Sequence, residues 1–277
     1  MSHVRTNILP LLLFGLISLS ACSSKDDSQA QKLLEEAQTA VENHQFQTAV
    51  TLIDSLRSAY PRAIEARRNS LHTLAVAKEG LALDALQRAD STVAVLSVSA
   101  DSLQRLMKKV DNPIEPYFVA SSTDPSAVRN ATGIQARMSP EGDFYIIATL
   151  KGVSAKSTSV SVSNQSGESA STATVGFDGE RNDRSNGMET ITFMGSESEE
   201  FGKFIADHRG ESLTLTFNGG RSHSILLPKT QADAVATVYD AASTLRALKM
   251  ASVEKEKSTR ALDLARSQAA RTFVEEQ

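Results

Sequence analysis

Cys22 is the only cysteine in the 277-residue chain, which excludes an intramolecular disulfide or a cysteine-built metal site. The five histidines, His3, His44, His72, His208 and His223, are scattered, and none stands at metal-ligand spacing from another histidine or a carboxylate. One stretch concentrates hard oxygen donors. Asp178, Glu180, Asn182, Asn186 and Glu189 occupy positions 1, 3, 5, 9 and 12 of the segment 178–189. Carboxylate and amide oxygens at that density are what a calcium ion takes. Arg181 and Arg184 lie between them and offset part of the charge, so a solvated polar loop is the simpler reading. Ser252-Val253-Glu254-Lys255 has S-x-x-K spacing without companion motifs, and no G-x-S-x-G is present. No catalytic residue and no cofactor is expected, and the chain does not read as an enzyme.

The residues around Cys22 are more informative. Arg5 gives a basic start, Ile8 to Leu19 is almost wholly apolar, and small Ser20 and Ala21 precede the cysteine. This is the layout of a secretory leader. Its apolar run of about a dozen residues is too short to span a bilayer core of about 30 Å. Leu19-Ser20-Ala21-Cys22 resembles the lipobox of bacterial lipoproteins. The resemblance implies cleavage of residues 1–21, acylation of Cys22, and a bilayer as the partner of the acyl chains, which together anchor stably where one alone is marginal. Ser23 stands where inner-membrane lipoproteins usually carry aspartate, and Lys25-Asp26-Asp27 resembles the export tag of some surface lipoproteins. The expectation is an outer-membrane, outward-facing protein. The formal charge of −4 becomes −5 once Arg5 leaves with the leader, which argues against nucleic acid as a partner. The 178–189 segment resembles an EF-hand calcium loop. It departs from that pattern in having Asp183 where the family requires glycine and Ser185 at the usual apolar position, and its flanks read as strands.

Behind the anchor, residues 22–30 read as a polar tether. From 31 to 61 the apolar residues follow a helical period, through Leu33, Leu34, Ala37, Ala40 and Val41 and then Phe46, Ala49, Val50, Ile53 and Leu56. Ala37, Ala49 and Pro61 stand twelve apart, which resembles one tetratricopeptide unit with Leu33 in place of the leading tryptophan. No second copy follows, so a plain helical hairpin is expected. Residues 62–111 predict one long helix whose Leu86, Ala89, Val93, Leu96, Ala100, Leu103, Met107 and Val110 make a heptad seam. Residues 230–275 contain neither proline nor glycine and predict a second long helix.

Between them, 112–229 reads as a β-domain. Ile134 to Met138, Phe144 to Leu150, Val160 to Val162, Ala173 to Val175, Ile191 with Phe193, and Leu213 to Phe217 suit strands, and Asn218-Gly219-Gly220 a hairpin turn. Ser196 with Glu199 predicts a capping box opening one short helix. Residues 154–174 include eleven serines or threonines and read as an exposed edge hairpin. The fold class is therefore α+β: a long antiparallel, coiled-coil-like helical stalk, an inserted antiparallel β-sandwich-like domain, and an N-terminal helical hairpin. Segment 112–229 is expected to fold alone. The function expected is that of a non-catalytic, lipid-anchored envelope protein presenting its β-domain on the helical stalk, in a structural or adhesive role or as an accessory to an envelope complex, with a protein partner in the envelope or outside the cell. The alternative is a surface lipoprotein binding a glycan or small ligand. Glycan platforms need exposed aromatic faces, and this region has no tryptophan and only Tyr117 and Tyr145 as tyrosines.

Overall fold

The computed structural model describes residues 20–275, and the side chains of 25–272. Residues 1–19, which hold most of the expected leader, lie outside the described residues. The helices are α1 (Ser20–Glu42), α2 (Phe46–Ala59), α3 (Ile64–Gln104), α4 (Glu199–Asp207) and α5 (Lys229–Glu275). The strands are β1 (Met107–Val110), β2 (Tyr117–Ala120), β3 (Gly133–Met138), β4 (Phe144–Lys151), β5 (Ser159–Ser163), β6 (Ser169–Ser171), β7 (Asn182–Ser185), β8 (Met188–Met194), β9 (Thr214–Asn218) and β10 (His223–Leu226). The architecture is α+β. The chain divides into a helical unit, residues 1–89 with 254–277, and a β-unit made of the uninterrupted segment 90–253.

In the helical unit, α1 and α2 form the expected hairpin. Its turn closes through His44, at φ 57°, whose N–H donates to the Val41 carbonyl while Gln45 N–H reaches Ala40. Small residues let the helices approach: Ala40, Ala49 and Ala77 form one buried patch, and Ala37, Ile53 and Leu74 another. A third joins Ala30, Leu34, Leu56, Ala63 and Ala66. So α3 covers the hairpin that the sequence left open. At Gly80 a Cβ would come within 2.5 Å of the Phe46 ring, which is why α3 carries a glycine there. The last turns of α5 run antiparallel to α3, with Arg266 paired to Glu79 at 3.1 Å and His72 hydrogen-bonded to Thr272 at 3.3 Å. The expected tether is a correction. Residues 22–30 are helical, because they lack glycine and proline and their period continues into buried Ala30, one turn before Leu34.

The β-unit has two antiparallel sheets, ordered β1-β2-β3-β4-β8-β7 and β10-β9-β5-β6. Ile146 faces Phe193 and Ala148 faces Ile191 across β4 and β8, while Val160 faces Phe217 and Val162 faces Leu215 across β5 and β9. All eight are buried in one cluster, which also takes Phe201 and Ile205 of α4 and Val235, Val238 and Ala242 of α5. Gly202 permits this meeting, since a Cβ there would lie 2.5 Å from the Phe144 ring and 2.8 Å from Tyr239.

Several boundaries differ from expectation. The long helix stops at Gln104, and Met107–Val110 pair with β2 as an edge strand instead of completing the heptad seam. A helix through Val110 would leave the β2 backbone unpaired beside the core, which costs more than one turn of helix returns. Of the remaining seam residues Ala89 is buried and Leu86, Val93, Leu96, Ala100 and Leu103 are half-buried, while Val95 and Val98 on the same helix are exposed. The segment 112–229 does not hold its whole core, because Met107 and the α5 residues complete it. The strand expected at Ala173–Val175 is displaced to β6, and β5 lies inside its sheet, so only β6 is the exposed edge expected of the serine-rich hairpin. The expected box does not cap α4, whose N-cap Ser198 makes no side-chain capping bond. The box lies one step earlier, at the 3-10 turn Gly195–Glu197, where the Glu197 carboxylate accepts the Met194 N–H at 2.9 Å and the Arg181 guanidinium at 2.8 Å. Glu199 pairs instead with Arg246.

Candidate binding cleft

The donors of the expected calcium loop are separated by the hairpin that β7 and β8 form. The turn lies at Asn186 and Gly187, both with left-handed backbone (φ 54° and 73°). Asp178 Oδ1 accepts the N–H groups of Glu180 and Asn182, both at 2.9 Å. These bonds, that of Asn182 foremost, hold the Asp178 carboxyl below its usual range. Asn182 is buried and donates from Nδ2 to the carbonyls of Ser157 (3.0 Å) and Val175 (2.8 Å). Glu189, at the far end, is buried on another side. Its carboxylate accepts the N–H of Lys156 at 2.7 Å and of Ser157 at 2.8 Å, and the Ser154 hydroxyl at 3.2 Å. Burial works against its charge, but these donors outweigh it and hold the carboxyl below the usual range. Glu189 thus ties the six-stranded sheet to the loop feeding β5. Among the described residues no three His, Cys, Asp or Glu side chains converge as a metal cluster.

The other sequence candidates also resolve. Cys22 lies in the first turns of α1, and Lys25, Asp26 and Asp27 are exposed just after it. Ser252 spends its hydroxyl on the Leu248 carbonyl at 2.8 Å. Tyr117 is buried with the Arg137 guanidinium 4.0 Å over its ring, and the exposed Phe177 has Arg184 over it at 4.8 Å. Both rings are therefore capped by a cation where a sugar would stack. Among the described residues no helix is long and apolar enough to cross a membrane.

The β-unit does contain a cleft of about 180 Å³, which no sequence signal marks because its walls come from distant segments. Ser122 to Asp124, the turn at Ala127–Arg129, β3 and the start of α5 form it. Gln231 on α5 accepts the Ile134 N–H at 3.0 Å, and its amide lies where a Cβ on Gly133 would stand. Gly133, at φ +150°, is thus favoured by conformation, and a Cβ there would displace the Gln231 amide from its bond to Ile134. Gln135 is locked as well, donating to the Asp124 carbonyl at 3.2 Å and accepting from Arg137 at 2.8 Å. The Ser126 N–H and hydroxyl hold the Asp124 carboxyl below its usual range. Against these satisfied neighbours, the buried Thr123 hydroxyl has no partner among the described residues. The lining offers neutral donors and acceptors beside the Asp124 carboxylate, and no paired nucleophile and base. Compared with protein-family models, with curated proteins and with solved structures, the chain matches none.

Proposed function

We propose that this chain is a non-catalytic lipoprotein of the outer membrane, anchored by acylated Cys22 and using its β-unit to engage a protein partner of the cell envelope or outside the cell. The observation that carries the reading is the lone cysteine closing an apolar leader behind small residues. Cleavage there would start α1 at the acylated residue, with Lys25, Asp26 and Asp27 exposed on its first turns. The β-unit supports the recognition role, since one uninterrupted segment encloses one core that includes both sheets, α4 and part of α5. Cys22→Ala tests the anchor. The variant is expected to lose lipid labelling and to leave the membrane fraction on flotation, and continued flotation would refute the anchor. Replacing Lys25, Asp26 and Asp27 by alanine tests the outward orientation: protease added to intact cells should lose access to the protein.

A second reading, small-ligand binding by the β-unit, is favoured by the buried Thr123 hydroxyl without a partner in the Gln231 cleft. Such a donor costs about 1–3 kcal/mol unless water or a ligand satisfies it. Titration calorimetry with glycerol and simple sugars, repeated on Thr123→Val, decides it: heat that is unchanged in the variant removes the cleft from consideration.

A further inference from the structure

In the helical unit, α2, α3 and the last turns of α5 border a groove of about 300 Å³. Leu71, Leu74 and Ala75 make its floor, and Arg57, Lys78 and Arg271 bring three cations to its rim. Among the described residues no carboxylate lines it. Among the described residues none of these three cations is in an ion pair, although Arg266, on the same stretch of α5, is paired with Glu79. Arg57 is half-buried, and its Nε is buried without a hydrogen-bond partner among the described residues. A buried donor of a charged group left unmade is costly, and an anion removes that cost with a charge-assisted bond. The floor asks for something else. Leu71 keeps 37% of its surface exposed beside buried Leu74 and Ala75, which is apolar area that an inorganic anion would leave wet.

We propose that this groove binds a free anionic amphiphile of the fatty-acid type, its carboxylate among Arg57, Lys78 and Arg271 and its alkyl chain on Leu71 and Leu74. Charge selects the head and the floor selects the chain, so neither part suffices alone. A bilayer surface fits less well, because the apolar floor lies within a concave site bordered by three helices, and a flat surface would reach the exposed rim lysine and arginine before the leucines.

Titration calorimetry on the full chain tests this with decanoate as the probe, and with acetate, decyltrimethylammonium and hexaglutamate beside it. Decanoate is expected to bind one to one and to weaken as salt rises, while the other three do not bind measurably. Arg57→Gln is expected to raise the decanoate Kd about tenfold or more, the loss of one charge-assisted bond. Lys78→Gln and Arg271→Gln, both on exposed side chains, repeat the test if the Arg57 variant melts early. Arg266→Gln, whose partner is Glu79, should leave the Kd unchanged. Acetate or decyltrimethylammonium binding as tightly as decanoate would overturn the proposal, as would a Kd indifferent to all three rim variants. Hexaglutamate binding more tightly would assign the groove to an acidic protein segment. Sedimentation with phosphatidylglycerol vesicles, without decanoate binding, would assign it to a membrane surface. Either result overturns the free-amphiphile reading.

Discussion

The two units of this chain solve the problem of a core in different ways. The helical unit buries alanines in three small separate patches, and among its described residues the large buried side chains are few: Leu34, Ile53, Leu56, Leu74 and Leu262. The β-unit has a single cluster with Phe144, Phe193, Phe201 and Phe217 fully buried at its centre. Alanine patches give close helix approach with little apolar area per contact, so stability there is local and graded. A continuous cluster across two sheets and two helices makes every element depend on the others. The β-unit is therefore expected to unfold as a whole, and the helical unit by successive loosening of its patches.

The largest effect should come from where the β-unit is cut. A fragment of residues 90–253 is expected to fold and to melt in one transition, whereas 112–229, which lacks β1 and the α5 residues of the core, should be unfolded by circular dichroism. Cooperative folding of the shorter piece would show that α5 is a lid and not a wall. Next come single core deletions. Phe193→Ala should destabilise by about 3–5 kcal/mol, moving hydrogen-exchange protection throughout the β-unit together. Ile53→Ala should cost about 2–5 kcal/mol with its exchange effect confined to the patch around Ala37 and Leu74. An equally global response to both would erase the contrast.

A smaller, pH-resolved effect belongs to Glu189. Its carboxyl is held below the usual range in the folded state, so its contribution is present above the unfolded pKa and is lost as pH falls through the folded one. Glu189→Gln keeps the shape but weakens the bonds to Lys156 and Ser157. It should lower stability by about 1–3 kcal/mol at neutral pH. The difference from the native chain should shrink toward acid. A pH-independent difference would mean that the side chain matters only through packing.

The sequence exposes what has a period. Alternation in Phe144–Leu150, at Ile191 and Phe193, and in Leu213–Phe217 marks strands that the structure contains, and the Ala37, Ala49 and Ile53 spacing marks the hairpin. What it hides are elements whose reason for existing is elsewhere in the chain. Met107 and Val110 fit a heptad as well as a strand, and the β2 edge decides between them. Strand β7, Asn-Asp-Arg-Ser, has no apolar residue and holds its place through β8 and the buried Asn182 amide. The carboxylates of 178–189 look like a cation loop because letters at loop spacing do not say that Glu189 turns toward Ser157. The cleft at Gln231 joins residues about a hundred positions apart, and only Gly133 carries a trace of it, as a glycine at the start of a strand.

The smallest effect expected is at the end of α4, and it separates the units by pH instead of by packing. His208 caps α4: its Nδ1 lies 2.9 Å from the Phe204 carbonyl, its ring stacks on Phe204 with centroids 4.0 Å apart, and its Nε2 lies 3.3 Å from Glu168. The Phe204 carbonyl raises its pKa first, burial opposes, and Glu168 and Glu211 add to the rise. Glu168 is held below its usual range by Asn164 foremost, then by His208 and Ser166, so it remains an anion to face the imidazolium. A group whose folded pKa is raised gives its full contribution below the unfolded value of about 6.5, and loses it as pH climbs through the folded value. The β-unit should therefore melt slightly lower at pH 8 than at pH 6, and the sites are exposed enough that the change in Tm stays small. His208→Gln should flatten that slope in the β-unit and leave the pH response of the helical unit as it was. An unaltered slope in the variant would mean that the ring serves α4 by stacking on Phe204, with its charge playing no part.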